Sequence, residues 1–183
     1  MKIENSTIYY NGNVKLKKAG VRQVISVFEQ QEFVKCKFDV IYFIKNYVQI
    51  ISLDEGVVPF HLFPYQEKMI RHMENNRFSI FMTSRQMGKT TVAAGYILHQ
   101  LIFNKSFTVA ILANKGAQAR EIMERVQMMY EELPFFLQPG VKTWNKGSIS
   151  LGNKSRAFTA ATSSSSVRGK SINLLYMDEF AHI

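Results

Sequence analysis

The sequence contains one cysteine, four prolines and no apolar run long enough to cross a bilayer. A lone Cys36 excludes an internal disulfide and fits a reducing compartment. The first ten residues, MKIENSTIYY, are too polar for an export signal, so neither secretion nor a membrane anchor is expected. Four histidines and one cysteine show no metal-ligand spacing, and no Ser-His-Asp or Cys-His set stands out. Carboxylates are missing from Leu133 to Met177, while Lys142, Lys146, Lys154, Arg156, Arg168 and Lys170 all fall there. The net charge is +9, and residues 59–183 hold most of the excess, 15 basic against 8 acidic side chains. Such a surplus suits a polyanionic partner, nucleotide or nucleic acid, and equally suits an ordinary solvated basic surface.

What is present is globular. The 183 residues suffice for one domain with a small appendage, and 46% hydrophobic with 20% charged side chains is the balance of a packed core. Residues 1–58 read as a polar, Lys-rich exposed arm of about twenty residues followed by a small helical subdomain. Val21, Val24, Ile25 and Phe28 mark its first helix, with Glu29 and Glu32 on the wet side. Asp39 is the expected N-cap of a second helix through Ile41, Ile44, Tyr47 and Val48. Residues 49–53 (QIISL) suggest a strand closed by Asp54-Glu55-Gly56.

Residues 59–183 read as an α/β domain. Pro64 sits in the first turn of a helix over about 65–75. Residues 78–82 (FSIFM) look like a strand buried on both faces of a parallel sheet. After residues 83–91 (TSRQMGKTT), Val92, Ala93, Tyr96, Ile97 and Leu101 keep helical spacing. Strand, glycine-containing loop and helix in that order make a phosphate cradle: backbone N–H groups and the helix dipole converge on phosphate oxygens, and Gly88 permits close approach. Lys89 would reach the β and γ phosphates of ATP, and the Thr90 hydroxyl would ligate Mg²⁺. The usual pattern, G-x-x-x-x-G-K-S/T, asks for glycine where Thr83 stands, and a Gly-Lys-Thr helix start that binds nothing is the bland alternative.

Downstream, residues 107–112 (FTVAIL) predict a second apolar strand. A long helix follows through Ala119, Ile122, Met123, Val126, Tyr130 and Leu133, with Glu121 and Arg125 paired on its wet side and Pro134 ending it. A hairpin turns at Asn145-Lys146-Gly147, and residues 156–161 form another strand before the serine run 163–166. Residues 172–177 (INLLYM) predict a third buried strand, ending on Asp178-Glu179. Asp178 there would hold Mg²⁺, and Glu179 would polarise the attacking water. Gln66 offers a carboxamide to adenine N6 and N7, with Tyr65 stacking beside the ring, or else both belong to an ordinary amphipathic helix.

Residues 84–91 (SRQMGKTT), residues 174–179 (LLYMDE), Phe63-Pro64-Tyr65-Gln66 and Asn145-Lys146-Gly147-Ser148 together resemble the ATPase part of the large terminase subunit of tailed bacteriophages, nearest the T-even-like myoviruses. The likeness covers about residues 33–183. It implies a P-loop NTPase core of the ASCE type with a mainly parallel sheet flanked by helices, ending just after the Walker B strand. On this reading the sheet is incomplete at its carboxyl end, with an apolar edge open to a partner segment. It implies ATP hydrolysis coupled to moving double-stranded DNA into a procapsid, as a homo-oligomer on the portal protein, with a small terminase subunit, in the cytoplasm of the infected host. The Walker A loop would comprise Ser84, Arg85, Gln86, Met87, Gly88, Lys89, Thr90 and Thr91, with Thr83 matching the terminase form. Within it Arg85 would act in cis on the γ-phosphate, and Arg168 would act in trans on a neighbouring subunit or be a basic loop residue. Tyr65 and Gln66 match the family's adenine element. The resemblance implies a piece that binds Mg-ATP weakly and does not package DNA alone. Two other readings stay open: a helicase-like nucleic-acid translocase, and a non-catalytic fragment that only docks on a partner.

Overall fold

A computed structural model describes residues 8–52, 54–162, 167 and 169–179. Arg168 and the serine run 163–166 lie outside the described residues. Strands β1 (Tyr9–Tyr10) and β2 (Asn13–Lys17) form an antiparallel hairpin. The amino-terminal stretch was expected to be an exposed arm, but from residue 8 onward it is docked. Leu16 is buried, the Lys17 ammonium donates to the Phe135 carbonyl at 2.7 Å, and Ala19 N–H donates to the Val141 carbonyl at 3.0 Å. Gly140, at φ +85°, permits this crossing, since a Cβ there would lie 2.8 Å from the Ala19 Cα. Gln138 ties the ends together, accepting from Lys17 N–H at 2.9 Å and donating to the Lys15 carbonyl at 2.9 Å.

Helix α1 (Val27–Phe38) starts later than the apolar spacing suggests, because Ser26 and Glu29 form a reciprocal capping box. Val24 and Phe28 are exposed, and it is Glu32 that turns inward, the reverse of the expected faces. Its carboxylate accepts from Lys35 Nζ at 2.8 Å, Tyr42 Oη at 2.8 Å and Tyr47 Oη at 2.6 Å. Three donors, Lys35 foremost, then Tyr47 and Tyr42, hold its pKa down at about 2. Asp39 caps α2 (Val40–Tyr47) as expected, its Oδ1 accepting from Ile41 N–H at 2.9 Å and Tyr42 N–H at 3.1 Å. Strands β3 (Gln49–Ser52) and β4 (Gly56–Pro59) pair as a hairpin.

Helices α3 (Pro64–Asn75) and α4 (Lys89–Phe103) follow. Phe43 and Ile44 of α2 join Leu98, Leu101 and Ile102 of α4 in one hydrophobic cluster, so the amino-terminal helices share the core of the larger part. His99 is buried there against Phe43 and Phe103, its Nε2 2.9 Å from the Cys36 carbonyl; burial lowers its pKa to about 4. Burial likewise pushes the Cys36 thiol up to about 12, which removes it as a nucleophile.

Strand β5 (Thr108–Ala113) is buried along its whole length. Helix α5 (Gly116–Glu131) turns the expected apolar face inward, with Ala119, Ile122, Met123, Val126 and Tyr130 all buried. Among the described residues the expected Glu121–Arg125 pair is not one of the ion pairs. After a short 3-10 helix (Phe135–Leu137) come β6 (Val141–Asn145), β7 (Ser148–Leu151), β8 (Arg156–Ala161) and β9 (Leu174–Met177). The sheet order is β6-β7-β8-β5-β9. Strands β8 and β9 run parallel to β5, while β6–β7 and β7–β8 are antiparallel. The sheet is therefore mixed, where a mainly parallel one was expected. The α/β class stands.

Residues 78–82 also depart from expectation, since they form no strand and Phe78, Ile80 and Met82 are exposed. The sheet order ends at β9, whose outer edge the run does not join among the described residues. As an edge strand, β9 exposes Leu175 and Met177 rather than burying both faces. No helix among the described residues is long and apolar enough to cross a membrane.

Candidate phosphate-loop and acidic-strand site

The start of α3 holds the loop that opens α4. The carboxamide of Gln66 is buried; its Oε1 accepts from Phe63 N–H at 3.0 Å and its Nε2 donates to the Met87 carbonyl at 3.3 Å. Tyr65 Oη donates to the same carbonyl at 2.8 Å. Gln66 thus spends its oxygen and a donor within the chain, which leaves it less to offer an adenine than the sequence suggested. Gly88 packs against it, since a Cβ at Gly88 would lie 2.7 Å from Gln66 Nε2, and its φ of +70° is the left-handed region glycine tolerates. Gln86, at φ +62°, occupies the same region one residue before Met87.

Because the peptide between Met87 and Gly88 is planar and trans, turning its carbonyl onto α3 points its N–H away from α3. Gly88 is the N-cap of α4 and has no side chain to satisfy the helix's first N–H groups, which stay available to an anion. Lys89, Thr90 and Thr91 occupy that first turn. Ser84, Arg85, Gln86 and Met87 are exposed. Thr83 Oγ1 is buried with no hydrogen-bond partner among the described residues, so a polar group is left for something else to satisfy. Among the described residues neither Arg85 nor Lys89 takes part in an ion pair.

The acidic pair reaches the same region from the sheet. Asp178 N–H donates to the Leu112 carbonyl at 2.9 Å, so the ladder between β5 and β9 fixes its backbone. Tyr176, opposite Ile111 in that ladder, donates its hydroxyl to Asp178 Oδ1 at 3.2 Å. Burial first, then the Asp178 charge, raises the Tyr176 phenol above its usual range, while the nearby Thr90 side chain acts the other way. Thr90 and Asp178, 88 positions apart in the sequence, thus come near one phenol, which bonds to Asp178. Glu179 has φ +51°, a strained conformation for a non-glycine residue, and its Oε2 accepts from Gln118 Nε2 at 3.4 Å. The same Gln118 caps α5, its Oε1 accepting from Lys115 N–H at 3.3 Å.

Sequence reasoning missed Tyr176 and Gln118. The signal for Tyr176 was its place two residues before Asp178, which puts both side chains on one face of an extended segment. Gln118 carried no signal, because its partner arrives from a distant strand. Arg168, expected either to act in trans or to be a basic loop residue, lies outside the described residues.

Comparison with known proteins gives a concordant picture. Residues 80–183 match the family model described as terminase large subunit, T4likevirus-type, N-terminal. The fold is similar to the crystal structure of the HK97 bacteriophage large terminase, with a TM-score of 0.62 and 20% sequence identity over 77% of this chain and 30% of that one. At that identity the likeness speaks to the fold, and the chain covers under a third of the HK97 protein's length.

Proposed function

The chain belongs to the terminase large-subunit family of T4likevirus type, and from that membership we propose that it is the ATP-hydrolysing part of a motor that drives double-stranded DNA into a procapsid. The observation that carries this reading is that Tyr176 at the end of β9 bonds to Asp178 and has the Thr90 side chain of the α4 amino terminus nearby. A P-loop core needs those two elements side by side. The residues present fit a triphosphate with a divalent cation: a helix start without a side-chain cap, a hydroxyl and an aspartate near one phenol, and, among the described residues, a lysine outside every ion pair and a Thr83 hydroxyl without a partner.

Lys89 binds the β and γ phosphates, and Ser84, Gln86, Met87, Gly88 and Thr91 line the loop around them with backbone N–H groups. Thr90 and Asp178 would hold Mg²⁺, which supplies neutralisation of the charge on the phosphate oxygens. Glu179 accepts a proton from the attacking water, held in place meanwhile by Gln118. Arg85, exposed and planar, donates to the γ-phosphate as charge develops. Tyr65 presents its ring to the base while its hydroxyl holds the loop. In the whole protein this unit works as an oligomer on the portal protein, with a small subunit, in the host cytoplasm. The decisive experiment is turnover and binding by Glu179→Gln, for which loss of hydrolysis with ATP binding retained is expected. Hydrolysis at the wild-type rate in that variant would refute the role of Glu179.

A further inference from the structure

We propose that Tyr176 is a positioning residue for the cation site, its phenol holding the Asp178 carboxylate in place; this rests on the reading of Thr90 and Asp178 given above. Two observations support it. The Tyr176 hydroxyl donates to Asp178 Oδ1 at 3.2 Å, which engages one carboxylate oxygen and leaves Oδ2 for a ligand. The tyrosine is partly buried against the core beneath β9, opposite Ile111, so its ring is fixed while its tip reaches the polar site.

The chemistry follows from the charges. Asp178 can swing about χ1 and χ2, and an unheld carboxylate must lose that freedom when a cation binds. A neutral donor on Oδ1 removes the freedom in advance and adds no charge that would compete with the cation. Groups that orient a metal ligand in this way typically change metal affinity by about 10–100-fold when removed. Phenylalanine at 176 would keep the packing and release the Asp178 carboxylate.

The test is a Mg²⁺ titration of fluorescent ATP-analogue binding to the full 183-residue chain, wild type against Tyr176→Phe, with a parallel measurement in EDTA. The expected result is a half-saturating Mg²⁺ concentration raised about tenfold in Tyr176→Phe, with the metal-free affinity unchanged. Adding Tyr176→Phe to Asp178→Asn should then shift the Mg²⁺ requirement no further, because the two act on one site. An unchanged Mg²⁺ requirement overturns the proposal. So does an equal loss of affinity with and without Mg²⁺, or a Tyr176→Phe chain that no longer folds, since either gives the phenol a merely structural task. A wild-type chain whose nucleotide binding ignores Mg²⁺ overturns the cation site itself, an outcome distinct from failure of Tyr176 alone.

Discussion

Tyr65 and Met87 are joined by a 2.8 Å hydrogen bond from the phenol to the main-chain carbonyl, and this contact, with Gln66 beside it, fixes the loop before α4 to the start of α3. The loop's conformation is therefore set by packing from behind as well as by its own glycine. Gly88→Ala should expose this dependence. An alanine there must adopt φ near +70° and displace the Gln66 amide 2.7 Å away. The backbone term alone costs about 1–2 kcal/mol. Thermal unfolding should register a destabilisation of that order, and nucleotide binding should fall by more than the stability loss explains.

The amino-terminal helices and the sheet should unfold together. Ile44 is fully buried, and its Cδ1 lies 3.2 Å from where a Cβ on Gly95 would stand, so α2 and α4 touch without slack. Ile44→Ala should cost about 2–5 kcal/mol, and the whole chain should still melt in one transition at a lower temperature. Two separate transitions by circular dichroism would show that the helices are an independent unit.

Acid should destabilise the fold in two windows. Burial depresses His99 from 6.5 to about 4, so the unfolded chain takes up this proton first and stability falls as pH drops below about 6.5, until the folded histidine also titrates near 4. Glu32 is depressed from 4.5 to about 2, so its contribution is complete above 4.5 and is lost as pH falls through the folded value. Urea midpoints measured from pH 7 to pH 3 should show both slopes. His99→Gln should flatten the first and Glu32→Gln the second.

Phe78, Ile80 and Met82, together with Leu175 and Met177 at the edge of β9, leave apolar surface uncovered. The triple substitution of residues 78, 80 and 82 by serine should cut light scattering of concentrated protein without lowering the melting temperature, because these side chains are exposed. A large loss of stability would show that they are packed after all.

Elements whose pattern is local were readable from the sequence. The face of α5 from Ala119 to Tyr130, the Asp39 cap and the hairpin at Lys146-Gly147 all depend on residues within a turn or two of each other. What could not be read depends on distant neighbours. An apolar run such as 78–82 carries no mark of whether a strand lies beside it. The amino-terminal hairpin did carry a local signal, Asn11-Gly12 at positive φ followed by Val14 and Leu16 alternating with lysines, but the docking of Leu16 depends on distant residues. Glu32 looks like a solvated charge until Tyr42 and Tyr47 are folded over it. At the candidate site the glycine loop and the acidic pair were legible as motifs, whereas the placement of Tyr176 required the register of β5 with β9.

The central claim is that Lys89, Thr90 and Asp178 form one site for a metal-bound triphosphate. Calorimetric titration of a non-hydrolysable ATP analogue, with and without Mg²⁺, against the wild-type chain, Lys89→Ala and Asp178→Asn tests it most directly. The account predicts that Mg²⁺ tightens binding to the wild type, that Lys89→Ala abolishes binding in both conditions, and that Asp178→Asn binds the metal-free analogue normally yet gains nothing from Mg²⁺. A full Mg²⁺ gain in Asp178→Asn, or wild-type affinity in Lys89→Ala, would contradict it.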